Sequence, residues 1–138
     1  MARILIVDDS PSQLMGIRRI VEKLGHEALT AEDGAAGVEA AKREIPDMIL
    51  MDVVMPNLNG FQATRSITRE ASTKHIPIVL VTTKDQDTDR VWGMRQGAKA
   101  YITKPFSETE LADIIQQMLG GDAPAAPAAP AEDTEPTE

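Results

Sequence analysis

The chain of 138 residues contains no cysteine, and aromatic residues make up only 3% of it. The first absence excludes disulfides and cysteine-ligated zinc sites. The second disfavours a flavin pocket walled by aromatic rings. Uninterrupted aliphatic runs reach only four or five residues, whereas a membrane span needs about 20. A signal peptide is also not indicated, because Asp8 and Asp9 interrupt the first hydrophobic run. These features predict a cytoplasmic protein without a membrane partner.

Basic charge is scarce, and the net charge is −8. Residues 122–138 hold five acids and no base, which leaves 17 of the 22 acids and all 14 bases in the rest of the chain. Nothing in this balance indicates a nucleic-acid surface. The same segment, "DAPAAPAAPAEDTEPTE", lacks the side chains needed for a core. We therefore predict a domain over residues 1–121 and a disordered Ala/Pro-rich acidic tail over 122–138, which either is only solvated or serves as a tether or docking segment.

Short aliphatic runs alternate with stretches of helical spacing. The runs lack in/out alternation, as expected for strands covered on both faces; they are Ile4–Val7, Ala28–Ala31 (the weakest), Met48–Met51, Ile76–Val81 and Ala100–Ile102. Helix signals fall between them, including Ser10-Pro11 as a start, Gly25 and Gly97 as ends, and Ser107 with Glu110 as a capping box. The pattern predicts an α/β fold, a doubly wound (βα)5 parallel sheet with helices on both faces.

Four of the five predicted strands end in a polar or charged residue: Asp8-Asp9, Asp52, Thr82 and Lys104. In an open parallel sheet, ligands bind outside the carboxyl ends of the strands, so these side chains should meet there. Three carboxylates in one pocket require raised pKa values or a bound cation. Oxygen ligands without nearby His or Cys favour Mg²⁺ over Ca²⁺.

A magnesium ion held by three carboxylates keeps open positions for phosphate oxygens. An aspartate beside it can act as a nucleophile and form an aspartyl phosphate. Lys104 could then neutralise the phosphoryl charge and Thr82 could donate a hydrogen bond to it. A single aspartate at a strand end is more often a helix cap or turn residue. The conjunction of four strand ends favours the phosphate site.

Four fragments carry a family resemblance, in this order: "VDDS", "MDVVMPNLNGF", "VTT" and "YITKPF". Over residues 2 to about 120 the chain closely resembles the response-regulator receiver domain of two-component signalling. The resemblance implies a flavodoxin-like, CheY-like fold with strand order 2-1-3-4-5. It implies that Asp52 accepts a phosphoryl group from a histidine kinase of the CheA-like type. Mg²⁺ would be bound directly by Asp9, Asp52 and the backbone carbonyl of Val54, and through water by Asp8.

The resemblance also implies a switch. Lys104, followed by a cis bond to Pro105, would pair with the phosphoryl group, and Thr82 would move toward it. Tyr101 would rotate inward and change the face formed by the fourth helix, fifth strand and fifth helix, which binds a downstream protein. The alternative for Tyr101 is a half-buried strand residue with its hydroxyl in water. Thr83 departs from the small residue usual in the family, and a branched side chain there should slow access to the site.

The loop after the phosphoacceptor would be shaped by two pairs, Met55-Pro56 and Asn59-Gly60. No output domain follows, so we expect a stand-alone, monomeric regulator that acts by binding and is not an enzyme. The block "TTKDQDTDRVWGMRQGA" most resembles regulators of the type IV pilus (twitching-motility) chemosensory system. A phosphate sink for a sister regulator and a flagellar chemotaxis regulator remain alternatives.

Three rival classes fit the sequence less well. A Rossmann dehydrogenase needs Gly-x-Gly-x-x-Gly after the first strand, which is absent. A flavodoxin-type electron carrier needs a Ser/Thr/Gly-rich phosphate loop there, and this loop is acidic. An Asp-nucleophile phosphatase shares the chemistry, but it usually carries Asp-x-Asp after strand one and cap insertions, and neither occurs.

Two surface hypotheses remain. Val91 and Met94 should share the core face of the fourth helix, with Trp92 about 100° away. Trp92 is then either a boundary residue packed on a neighbouring helix or an anchor for a partner. Arg18-Arg19 either forms a solvated face or contacts an acidic kinase surface.

Overall fold

The computed structural model describes residues 1–55 and 57–120. The predicted tail over 122–138 and Pro56 lie outside the described residues. Five strands alternate with five helices. Their bounds are β1 Arg3–Val7, α1 Pro11–Lys23, β2 Glu27–Ala31, α2 Gly34–Glu44, β3 Met48–Met51, α3 Gly60–Arg69, β4 Ile78–Thr82, α4 Asp87–Arg95, β5 Ala100–Thr103 and α5 Glu108–Gly120.

All neighbouring strands are parallel, and the sheet order is β2-β1-β3-β4-β5. The predicted fold and strand order are therefore confirmed. From β1 the chain goes to β2 on one side and then to β3 on the other, so the strand order reverses between β1 and β3. In sheets of this kind that reversal opens a crevice at the carboxyl edge.

The sheet is covered on both faces, which explains its continuous aliphatic strands. Successive residues of β1 alternate between two core clusters, with Leu5 and Val7 in one and Ile4 and Ile6 in the other. Helices α2 and α3 contribute to the first cluster, and α1 and α5 to the second. Strand β2 lies at the sheet edge and is only partly buried, so its pattern is the weakest.

The predicted helix ends are also found. Helix α1 begins at Pro11 after Ser10. At its other end Gly25 has φ +91°, and the His26 N–H donates to the Val21 carbonyl at 3.2 Å. That pairing satisfies end carbonyls in a left-handed cap, which glycine adopts readily. At α5 the reciprocal capping box forms, with Glu110 N–H to Ser107 Oγ at 3.0 Å and Ser107 N–H to Glu110 Oε1 at 3.1 Å.

The predicted core face of α4 is wrong. Val91 is 53% exposed and Met94 is 44% exposed. The buried residue of α4 is Gly93, where a Cβ would lie 2.5 Å from Leu80 Cδ1 and 3.3 Å from the Tyr101 ring. The helix approaches the sheet so closely that only a residue without a side chain fits. Its apolar side chains are therefore directed away from the core.

Within the described part of the chain, no helix combines the length and apolar character needed to cross a bilayer.

Candidate functional site

The carboxyl edge of the sheet brings the three predicted aspartates together. Val7 of β1 pairs with Met51 of β3, so the residues that follow them are also neighbours. Asp8, Asp9 and Asp52 each offer a carboxylate oxygen, and these oxygens lie within 4.8 Å of one another. The crevice at the reversal of strand order therefore holds an acidic cluster.

The two adjacent aspartates differ in their surroundings. Asp8 is 2% exposed, and its Oδ1 accepts a hydrogen bond from the Ser10 N–H at 2.9 Å. Its Oδ2 accepts one from Lys104 Nζ, also at 2.9 Å. Asp9 is exposed at the rim of the crevice. Asp8 is thus held by the protein, whereas Asp9 faces the solvent from which a ligand arrives.

Asp52 is 7% exposed, and its Oδ1 accepts a hydrogen bond from the Val53 N–H at 2.8 Å. Lys104 Nζ is 3.8 Å from the same oxygen. Burial raises the pKa of the Asp52 carboxyl above its ordinary value. The Lys104 ammonium opposes this rise in pKa, and the negative charge of Asp8 adds to it. Asp52 is therefore a carboxylate whose charge the protein compensates only in part.

Lys104 is fixed at both ends of its side chain. Its backbone N–H donates to the Thr82 carbonyl at 2.7 Å, and the bond to Pro105 is cis, as predicted. Its ammonium contacts Asp8 and also the side-chain oxygen of Gln13. Sequence reasoning missed Gln13. The only available signal was its place in the first turn of α1, directly after the acidic loop.

Thr82 and Tyr101 bond the backbone of the same residue. Thr82 is fully buried, and its Oγ1 accepts from the Lys84 N–H at 3.3 Å. The Tyr101 hydroxyl donates to the Lys84 carbonyl at 2.7 Å, and burial raises its pKa. Because Tyr101 is 9% exposed and Arg90 lies 5.0 Å from its ring centroid, the alternative of a half-buried tyrosine with its hydroxyl in water is wrong.

The loop after Asp52 is held against it by α3. A Cβ on Gly60 would lie 2.1 Å from the Asp52 carbonyl oxygen, so glycine permits this contact. The Gly60 N–H donates to the Val53 carbonyl at 2.9 Å. Asn59 caps α3 through a reciprocal capping box with Gln62. The expectation that Asn59-Gly60 shapes this loop agrees with these contacts.

The rest of the loop is mixed. Met55 is buried in the core, whereas Val54 is 56% exposed and follows Asp52 by two residues. The backbone carbonyl of Val54 remains a predicted Mg²⁺ ligand.

Thr83, which follows β4, is exposed beside Lys104. It lies in the wall of a cavity of about 390 Å³ between α1 and the segment after β5.

The donor set fits a hard divalent cation. The converging ligands are carboxylate oxygens from Asp8, Asp9 and Asp52, which suit Mg²⁺ better than a soft metal. Their negative charge exceeds what Lys104 can neutralise, so a cation would relieve the repulsion.

Residues 4–116 match the family model of the response regulator receiver domain. The chain therefore belongs to the family of response-regulator receiver domains, the class that its fold and acidic crevice define. Among individual proteins, it is 56% identical over 121 residues to Protein PilH of Pseudomonas aeruginosa. That alignment covers 88% of this chain and 100% of PilH.

Solved structures agree with this assignment. One is the receiver domain of a sensor histidine kinase from P. aeruginosa PAO1 with a magnesium ion coordinated in its active-site cleft. Its TM-score is 0.81 and its identity 34%, covering 86% of this chain and 98% of that one. The chemotaxis protein CheY4 of Vibrio cholerae has a TM-score of 0.81 and 31% identity, covering 86% and 99%. A receiver domain of this family thus holds Mg²⁺ in its active-site cleft.

Proposed function

We propose that this protein is a cytoplasmic regulator of a two-component system, in which Asp52 accepts a phosphoryl group from a histidine kinase. The observation that carries the proposal is the position of Asp52 in the crevice. Its carboxylate lies within 4.8 Å of oxygens of Asp8 and Asp9, and its Oδ1 lies 3.8 Å from Lys104 Nζ. One nucleophile, one fixed cation and a set of oxygen ligands are the parts that phosphoryl transfer requires.

In the transfer, a carboxylate oxygen of Asp52 attacks the phosphorus of a phosphohistidine. A new O–P bond forms, the P–N bond breaks, and its electron pair returns to the imidazole nitrogen. Lys104 offsets the negative charge that the phosphoryl group brings. Asp8, Asp9, Asp52 and the carbonyl of Val54 would hold Mg²⁺, which supplies further positive charge to the phosphoryl oxygens when bound.

The direct test is phosphotransfer from a phosphorylated CheA-like histidine kinase to the full chain. We expect label on the wild-type protein and none on Asp52→Asn. Asp113→Asn is the matched control, because it removes an exposed carboxylate of α5 outside the crevice. Label that persisted on Asp52→Asn would exclude Asp52 as the acceptor.

We further propose that phosphorylation acts on the output face through Lys84. Thr82 Oγ1 would leave the Lys84 N–H and donate to the phosphoryl group, which changes the loop before α4. Tyr101 is already inward and bonded to the Lys84 carbonyl. Phosphorylation would then fix an arrangement that exists before it, in a face formed by α4, β5 and α5.

Helix α4 supplies the apolar part of that face. Val91, Trp92 and Met94 are each between 44% and 53% exposed, and exposed tryptophan is favoured at binding hot spots. Together with the likeness to PilH, this exposed apolar patch supports a binding role in twitching-motility signalling.

The test is complementation of a strain in which the gene for this protein is deleted. Trp92→Ala should fold and retain phosphorylation but fail to restore twitching. Met15→Ala, which removes a similarly exposed side chain from α1, should restore it. Unfolding of Trp92→Ala would instead support the boundary role.

A further inference from the structure

We infer that Gln13 is a positioning residue that orients the Lys104 ammonium for the phosphoryl group, an inference that rests on the proposed function. Gln13 belongs to the first turn of α1, and its Oε1 accepts a hydrogen bond from Lys104 Nζ. Among the residues that the structure describes, the hydrogen bond from that ammonium joins Gln13 to the site, and the amide of Gln13 itself carries no charge.

The donors of Lys104 show what Gln13 contributes. An ammonium has three N–H groups. One donates to Asp8 Oδ2 at 2.9 Å and another to Gln13. Asp52 Oδ1 is 3.8 Å away, beyond hydrogen-bond distance. The Lys104 side chain is 10% exposed. Among residues 1–55 and 57–120, two hydrogen bonds therefore hold the ammonium, which leaves the third N–H for an oxygen that arrives at Asp52.

Gln13 performs this role without adding charge. The crevice already holds three carboxylates and must admit an anionic phosphodonor. An amide oxygen accepts the hydrogen bond of the cation but does not repel the donor. A glutamate at position 13 would bond Lys104 more strongly and add a fourth negative charge.

Loss of the hydrogen bond between Gln13 and Lys104 should slow phosphoryl transfer to Asp52. Asp52 attracts the ammonium electrostatically, and without Gln13 the ammonium can close the 3.8 Å gap and pair with the nucleophile directly. Such a pair occupies the carboxylate oxygens that must attack phosphorus. Preorganised donors act best when they are aimed at the developing charge before the reaction starts.

The test uses the full chain, Mg²⁺ and acetyl phosphate as the phosphodonor, whose P–O bond to acetate breaks as Asp52 is labelled. Gln13→Met keeps the length of the side chain and removes the acceptor. We expect it to be labelled about tenfold more slowly than wild type, the usual size of one hydrogen bond to a charged group. Its melting temperature should be unchanged, because Gln13 is exposed. Gln117→Met, an exposed glutamine of α5, should behave as wild type.

A second readout separates positioning from a general structural effect. The ¹⁵N signal of the Lys104 ammonium should move in Gln13→Met before any phosphodonor is added. Gln13→Glu should restore the bond yet label more slowly than wild type because of its charge. Gln13→Ala replaces Gln13→Met if the latter is unstable.

Labelling of Gln13→Met within about twofold of wild type would overturn the inference, and so would slow labelling with an unmoved Lys104 signal. Failure of the inference alone leaves the wild-type protein labelled and Asp52→Asn unlabelled. A wild-type protein that neither acetyl phosphate nor a phosphorylated histidine kinase labels would overturn both the inference and the proposed function.

Discussion

The two ends of the central sheet differ in how fully their charged side chains are paired. At the amino end, Arg3 Nη1 donates to the Glu44 carbonyl at 2.8 Å, and the Arg3 N–H donates to an Asp47 carboxylate oxygen at 2.8 Å. Bonds from Arg43 and Arg3 lower the pKa of the Glu44 carboxyl. At the carboxyl end, burial raises the pKa of Asp52, and one lysine contacts two of the three carboxylates, Asp8 and Asp52.

The difference separates charges that support the fold from charges that serve a ligand. Paired groups at the amino end are satisfied by the protein itself. The three carboxylates of the crevice carry more negative charge than Lys104 offsets, and we expect this excess charge to lower stability in the absence of a bound cation. Natural proteins accept such local strain where function requires it.

The largest expected effect is that of Mg²⁺ on thermal stability. Saturating Mg²⁺, at about 100 times its dissociation constant, should raise the melting temperature on the order of 10 °C. Asp9→Ala removes the carboxylate at the rim and should abolish most of that rise. Glu44→Ala at the amino end should lower the melting temperature yet leave the Mg²⁺-induced rise intact. The melting temperatures are measured by calorimetry. An equal loss of the Mg²⁺-induced rise in both variants would contradict the proposed difference between the two ends of the sheet.

The next effect is that, in magnesium-free buffer, removing a charge at the two ends of the sheet should change the melting temperature in opposite directions. The lowered pKa of Glu44 contributes stability at neutral pH that is lost as the pH falls through its folded-state value. The raised pKa of Asp52 imposes a cost at neutral pH that is relieved as the pH falls through its own folded-state value. At neutral pH, Glu44→Gln should therefore melt below wild type and Asp52→Asn above it.

Melting curves of both variants from about pH 7 to about pH 3 check this sign. The difference in melting temperature between each variant and wild type should shrink toward zero as the pH falls below the ordinary range of carboxyl pKa values. An Asp52→Asn variant that melts below wild type at neutral pH would show that the crevice is satisfied without a ligand.

The smallest effect concerns access to the crevice. Thr83 is exposed beside Lys104, and we predict that its branched side chain narrows the approach to Asp52. Thr83→Ala should therefore be labelled several-fold faster by acetyl phosphate, with an unchanged Mg²⁺-induced rise. The matched control is Thr30→Ala, because Thr30 lies at an exposed position of β2. Thr73→Ala would not serve as a control, because Thr73 is buried and its hydroxyl donates to the Ile67 carbonyl. Equal rates for Thr83→Ala and wild type would remove any steric role for Thr83.

Sequence reasoning succeeded where position follows from topology. Strands buried on both faces need continuous aliphatic runs, and parallel strands deliver their ends to one edge. These two facts were enough to predict that Asp8, Asp52 and Lys104 converge. The separate surroundings of Asp8 and Asp9 depend on side-chain bonds, which the spacing of residues does not specify.

It failed where packing departs from the usual pattern. A helix that meets the sheet through Gly93 has no apolar stripe on its buried side, so periodicity assigned the core face of α4 to Val91 and Met94. The contact between Gln13 and Lys104 depends on where the first turn of α1 lies relative to the end of β5, which a single sequence does not express. The inward position of Tyr101 depends likewise on the Lys84 carbonyl.

The central claim is that Asp52, and neither of its two acidic neighbours, carries the phosphoryl group. Borohydride reduces an aspartyl phosphate to homoserine, which peptide mass spectrometry locates in the chain. After phosphotransfer from a histidine kinase, we expect homoserine at position 52 and unchanged aspartate at positions 8 and 9. Homoserine at position 8 or 9, or intact aspartate at all three positions of a labelled protein, would contradict the account.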